Sequence, residues 1–225
     1  MRISVSLLAC PQKYLFYSSL FSAYYADSIH VDIMDGVCVP LTGVSYNNLL
    51  EIAQLSTLPI QVHLMVHDQM AKLERILSIL TVDTVFLTIE KEPVELTLAC
   101  LRKIRHSGRK AAIALWPETD IAMIGPFLSD IEKLLVMTTK AGTPQSMFLQ
   151  TSYSRIQSIV SYLNQKGASL EIVVDGGMNA ERLIQMEQLR VLSAVVGRSF
   201  FIPEELMKIE RLRTPLRYLK ADSFL

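Results

Sequence analysis

The chain has 225 residues, half of them apolar, and its 22 basic and 22 acidic side chains cancel. That length and apolar fraction supply one sizeable core and fit a single barrel-type domain. Zero net charge gives no field to attract nucleic acid or an anionic membrane, and the apolar runs are strand-sized, so neither is expected as a partner.

In chain order, the opening stretch to Pro11 carries one basic residue and a short apolar run. It reads as a first strand, Ile3–Leu8, and not as a signal peptide, whose apolar core is longer. Further strands are expected at Ser28–Met34, Ile60–Met65, Thr84–Thr88, Lys110–Leu115, Lys133–Met137, Leu170–Val174 and Ser193–Val196. These runs are nearly continuously apolar, as parallel strands covered on both faces should be. Between them lie stretches with helical spacing. In Met70–Leu80, residues Met70, Leu73, Ile76, Leu77 and Leu80 form one apolar face, and Leu96–Arg105, Tyr153–Asn164 and Glu181–Gln188 read similarly. Eight βα units in this length predict an α/β fold, a single (β/α)8 TIM barrel over residues 1–225. An open doubly wound sheet is the alternative. A C-terminal helix and tail are expected from about residue 204, with Arg211–Leu225 mixing charge and apolar residues. Cys10, Cys38 and Cys100 are scattered and odd in number, which argues against a disulfide framework and for a reducing cytoplasm.

The chemistry-bearing segment is His30-Val31-Asp32-Ile33-Met34-Asp35-Gly36. In a strand, His30 and Asp32 point to one side of the sheet. Gln61-Val62-His63-Leu64-Met65 adds a second imidazole, and Val173-Val174-Asp175-Gly176-Gly177 a second carboxylate. In a (β/α)8 barrel, chemistry sits at the C-terminal strand ends, where all four residues fall. Two imidazoles and two carboxylates suit Zn2+, Fe2+, Mn2+ or Co2+ better than Mg2+. The plainer alternative is a hydrogen-bonded core histidine and a helix-capping aspartate. Gly176 and Gly177 follow strand seven, and Gly197 and Arg198 follow strand eight, where many barrels bind phosphate through backbone N–H groups. Arg198 would add a charged contact there, unless it is only a solvated surface arginine.

Together, HVDIMDG, VHLMV and VVDGG resemble the ribulose-phosphate 3-epimerase family, from Val5-Ser6-Leu7 to Val196-Gly197. The resemblance implies His30, Asp32, His63 and Asp175 as ligands of one divalent metal ion, Zn2+ first. Asp32 and Asp175 would also be the two acid/base groups, moving a proton off one face of C3 and onto the other through a metal-stabilised enediolate. Ser6 would support the site near the substrate. Met34, Met65 and Met137 would wall the reacting carbons from water. The substrate would be a ketose phosphate, by default D-ribulose 5-phosphate going to D-xylulose 5-phosphate, and the protein a homo-oligomer.

The chain also departs from the family. Where the family usually has an Asn-Pro-Gly-Phe-Gly-Gly-Gln loop after strand six, this chain has Met137-Thr138-Thr139-Lys140-Ala141-Gly142-Thr143-Pro144-Gln145-Ser146, which keeps one glycine, Gly142, as a substrate contact, gains a proline and loses the Gly-Gly pair. Lys140 is a candidate to compensate, unless it is simply solvated. Thr88 stands where a histidine is common, Trp116-Pro117 replaces Asn-Pro, and Ala9-Cys10-Pro11 replaces Ser-Ala-Asp. An intact quartet in an altered shell points to changed substrate choice, with an allulose 6-phosphate 3-epimerase as the first alternative. Val-Gly-Arg is similar to decarboxylase and hexulose-phosphate synthase barrels, but the third strand lacks their lysine. A non-catalytic sugar-phosphate-binding barrel is the remaining reading.

Overall fold

A computed structural model describes residues 1–10, 21–143 and 147–213. Eight parallel strands close into a barrel in chain order: β1 (Arg2–Ser6), β2 (Ser28–Met34), β3 (Ile60–Met65), β4 (Val82–Thr88), β5 (Lys110–Leu115), β6 (Lys133–Met137), β7 (Glu171–Asp175) and β8 (Ser193–Val196). β8 closes on β1, with Arg2 opposite Ser193 and Val5 opposite Val196. Around the barrel lie α1 (Tyr46–Leu55), α2 (Gln69–Leu77), α3 (Val94–His106), α4 (Ser152–Gln165), α5 (Ala180–Gln188) and α6 (Pro203–Leu212). The fold is a (β/α)8 TIM barrel.

Alternation along the strands divides the core in two. Ile60, Val62 and Leu64 of β3 face outward into the large cluster beneath the helices. Gln61, His63 and Met65 face the barrel axis, as period-two geometry requires. The axial cluster is smaller: Phe86, Ala112, Ala114, Leu135, Met137, Val173 and Val195. A third cluster of Met34, Cys38, Val39 and Met65 covers the mouth.

The helices start where side chains satisfy their first N–H groups. Ser45 Oγ accepts from Asn48 N at 3.1 Å, Asp68 Oδ1 from Ala71 N at 3.2 Å and Asn179 Oδ1 from Arg182 N at 2.9 Å. No helix among the described residues is long and apolar enough to cross a membrane.

Several expected boundaries shift. β1 ends at Ser6, because Leu7–Ala9 turns into a 3-10 helix. β4 starts two residues early, and β7 runs one residue later, with Asp175 as its last member. α2 stops at Leu77, so Leu80 leaves the helical register and is 89% exposed, while Ile79 is buried in its stead. Between β5 and β6 the crossover is a 3-10 segment, Ile121–Phe127, not an α-helix. Its Gly125-Pro126 pair explains this, since proline lacks the N–H and clashes with the preceding turn. α1 lies in a stretch whose periodicity was not recognised in the sequence. The final helix is α6, and the expected tail from residue 214 lies outside the described residues.

Candidate active site

The register of β2 and β3 builds the centre. Asp32 is the direct neighbour of His63, and His30 of Gln61. His30 and His63 are fully buried, and Asp32 is 5% exposed. His30 Nε2 lies 3.4 Å from Asp32 Oδ1 and 3.9 Å from Asp175 Oδ2, while His63 Nδ1 lies 3.3 Å from Asp32 Oδ1. One ligand atom from each of the four residues falls within 4.8 Å of all the others. Ser6, at the end of β1, donates its hydroxyl to Asp32 Oδ2 at 3.2 Å.

None of the four imidazole nitrogens makes a well-formed hydrogen bond. Buried polar atoms without partners are costly and rare. Ligand bonds of about 2.0–2.1 Å in a tetrahedron place neighbouring donors roughly 3.3–3.4 Å apart, close to the separations around Asp32. The four residues could therefore hold one divalent metal ion, which would satisfy one orphaned nitrogen of each ring.

The carboxylates are driven apart electrostatically. Burial alone raises both. At Asp32 the adjacent imidazoles, His30 first and then His63, favour the anion more than burial disfavours it, and the carboxyl sits well below the usual range. At Asp175, burial and the Asp32 charge act together and push it up to about 6, against the two histidines. Burial lowers His30, but Asp32 and Asp175 more than reverse this, so its net shift is upward.

Above this centre opens a cavity of about 580 Å³, within the roughly 300–1,000 Å³ of small-molecule sites. Asp32, Asp175, Ser6, Met34, Met65, Met137, Gly142, Gly176, Gly177, Gly197 and Arg198 all line it, while His30 and His63 lie beneath. The three methionines are nearly buried and form the wall next to the carboxylates. Gly176 has φ of +119°, and a Cβ there would fall 2.4 Å from Thr139 Oγ1. The loops after β6 and β7 are thus in direct contact. Thr138 reinforces that contact, donating its backbone N–H to the Asp175 carbonyl at 2.7 Å. Its hydroxyl lies 2.8 Å from the Asp175 carbonyl and 2.6 Å from that of Gly176.

Thr139, Asn179, Arg182 and Ser199 also line the cavity and were not singled out in the sequence, and Lys140 joins them. Asn179 was detectable in principle, as an N-cap residue two positions after the Gly-Gly turn. Arg182, three residues later, carries no signal until the helix is placed. Thr88 is structural: its hydroxyl donates to Leu64 O at 2.8 Å, and its backbone pairs with the Gln69 side chain.

Comparison with known proteins agrees with this geometry. The family model described as the ribulose-phosphate 3 epimerase family matches residues 2–214. The chain belongs to that family. A ribulose-phosphate 3-epimerase of Methanocaldococcus jannaschii is 30% identical over 155 residues, covering 69% of this chain and 64% of that protein. The alignment thus spans a little under two thirds of that relative's length. The enzyme of Helicobacter pylori strain J99 is 26% identical, covering 96% of this chain and all of its own length. Among solved structures, KGPDC from Streptococcus mutans superposes with a TM-score of 0.72 at 11% identity, covering 94% of this chain and 98% of its own. The 3-hexulose-6-phosphate synthase of Salmonella typhimurium has a TM-score of 0.70 at 15% identity, with the same coverage. These two likenesses concern the barrel fold. Membership places the chain among sugar-phosphate epimerases, a class of isomerases.

Proposed function

We propose that this protein inverts C3 of a ketose phosphate, with D-ribulose 5-phosphate to D-xylulose 5-phosphate as the default reaction. The observation that carries the reading is the pair of carboxylates, Asp32 and Asp175, gathered with two buried imidazoles at one centre that opens into the cavity. Epimerisation beside a carbonyl needs a base on one face of the carbon and an acid on the other. In one half of the cycle Asp32, favoured as the anion, accepts the proton while Asp175, whose affinity for a proton is raised, donates one, and the two exchange states at each turnover. The Ser6 hydroxyl fixes one Asp32 oxygen, leaving the other toward the histidines. His30, Asp32, His63 and Asp175 would hold the divalent ion, Zn2+ first, then Fe2+, Mn2+ or Co2+. When bound, that ion supplies positive charge beside the oxygens that become negative as the C3 proton leaves. Met34, Met65 and Met137 keep water away from the reacting carbons. Gly176, Gly177 and Gly197 present backbone N–H groups to the phosphate, with Arg198 beside them and Gly142 at the edge of the opposite loop.

The test is deuterium exchange at C3 in D2O, with protein loaded with Zn2+, Mn2+ or Fe2+ and a panel of ketopentose and ketohexose phosphates. The panel includes allulose 6-phosphate, because the loop after Met137 lacks the usual Gly-Gly pair. Exchange on at least one sugar phosphate, abolished by Asp32→Asn and by Asp175→Asn, is expected. No exchange on any of them by metal-loaded protein would leave a non-catalytic sugar-phosphate-binding barrel. The three cysteines are free, which suits a reducing cytoplasmic setting. A homo-oligomer is the expected assembly.

A further inference from the structure

Three cations border the cavity from three different segments. Lys140 comes from the loop after β6, Arg182 from the first turn of α5 and Arg198 from the turn after β8. Among the described residues, none of the three pairs with a carboxylate. Lys140 and Arg198 are exposed, whereas Arg182 is half-buried and held. Its guanidinium donates to the carbonyl oxygen of Gly177 and lies 4.7 Å over the ring of Phe148. Its backbone N–H is fixed on Asn179 Oδ1 at 2.9 Å. Phe148 itself packs on the glycine turn, so that a Cβ on Gly177 would come within 3.1 Å of Phe148 Cβ. Arg182 therefore staples two loops together at the phosphate end of the cavity. A guanidinium carries five N–H donors in a planar fork, and one is spent on Gly177.

We propose that Arg182 determines recognition of the substrate's phosphate dianion, holding the Gly177 turn in place and presenting the rest of its charged fork to the anion, with Lys140 and Arg198 as flanking charges. Rigid side-chain charge then replaces the grip of a flexible glycine-pair loop, which this chain lacks. Ordering is already achieved in the free protein, so the anion meets a preorganised cation. The inference rests on the reading of the substrate as a sugar phosphate.

The test titrates inorganic phosphate calorimetrically into the metal-loaded full chain and measures KM and kcat for the best ketose phosphate of the panel. Arg182→Met keeps the apolar stem on Phe148 but removes the charge. It should weaken phosphate binding and raise KM by roughly ten- to a hundredfold, with kcat changed much less. Arg182→Lys should recover part of the loss, because an ammonium restores charge without the fork. Lys140→Gln and Arg198→Gln, at exposed positions that folding does not depend on, should each cost a smaller factor. Unchanged phosphate affinity and KM in Arg182→Met would overturn the proposal. So would a fall in kcat alone, which marks a packing role only. If Arg182→Met does not fold, phosphate binding unaffected by Arg182→Lys and by both glutamine variants overturns it. Arg182-dependent phosphate binding without C3 exchange on any sugar would sink the epimerase reading and leave this inference standing.

Discussion

At the lower end of the barrel, Lys133 is 5% exposed and its burial costs are offset: its ammonium lies 3.7 Å from Glu171 Oε2. Glu171 also pairs with Arg2 at 2.8 Å and accepts from Ser193 Oγ at 2.5 Å. One layer up, Ser4 Oγ is 2.6 Å from Ser28 Oγ and donates to Gln61 Oε1 at 3.1 Å. At the mouth, the two imidazoles are buried as deeply, yet all four of their ring nitrogens are orphaned. The same strands carry both layers, so the difference is not one of fold. Polar groups that only fill the barrel find partners within the chain, whereas those at the mouth are arranged for something the chain does not contain. Buried polar groups left unsatisfied mark where stability has been given up for function.

Substitutions at the two ends should separate these roles. The largest effect is expected from Asp32→Asn, which should lower C3 exchange by roughly a hundred- to ten-thousandfold, the range of a general acid or base, with the far-ultraviolet dichroism spectrum unchanged. At the opposite end, Glu171→Leu leaves the Lys133 ammonium buried and without its carboxylate. It should cost about 3–5 kcal/mol in urea unfolding and leave exchange per folded molecule intact. His63→Leu reverses that profile. In chelator-treated protein it removes an imidazole that makes no well-formed hydrogen bond but lies 3.3 Å from Asp32 Oδ1, so the loss should be about 1 kcal/mol, well below that of Glu171→Leu. The rise in melting temperature on adding Zn2+ should disappear. Loss of stability as large as in Glu171→Leu would refute the contrast between the two ends.

The smallest predicted effect is a pH dependence. Asp175 and His30 both have raised affinities for protons in the folded chain. Their stabilising contributions are present below the ordinary values of 3.8 and 6.5 and are lost as pH rises, for Asp175 through about 6. Asp32 is shifted the other way, so its contribution is present above 3.8 and lost only in strong acid. Chelator-treated protein should therefore melt a few degrees lower at pH 8 than at pH 5. The increment gained from Zn2+ should widen over the same interval, because metal binding requires deprotonated ligands. A constant increment from pH 5 to 8 would contradict this.

The sequence made the quartet legible because period-two alternation and strand-end placement are local rules. Five of the eight strands, among them Ser28–Met34 and Ser193–Val196, lie where their apolar runs indicated. Leu80 was misplaced because where a helix stops depends on its cap, here Ser78, and not on the apolar spacing. The 3-10 crossover was hidden because a Gly-Pro pair breaks a helix without announcing what replaces it. Arg182 was illegible for a different reason. Its importance depends on Phe148 and Gly177, 34 and 5 residues away, meeting over one turn.

Asp35 is the sixth residue of the chemistry-bearing segment His30–Gly36 but does none of its chemistry. One of its oxygens accepts from the backbone N–H of Val37 at 2.9 Å and of Cys38 at 2.8 Å, and the other accepts from that of His67 at 2.6 Å. It is a clasp between the ends of β2 and β3. HVDIMDG is thus two messages written end to end, a reactive one through Met34 and an architectural one in Asp35-Gly36. A pattern search that demands all seven residues would pass over active barrels that close the turn by other means.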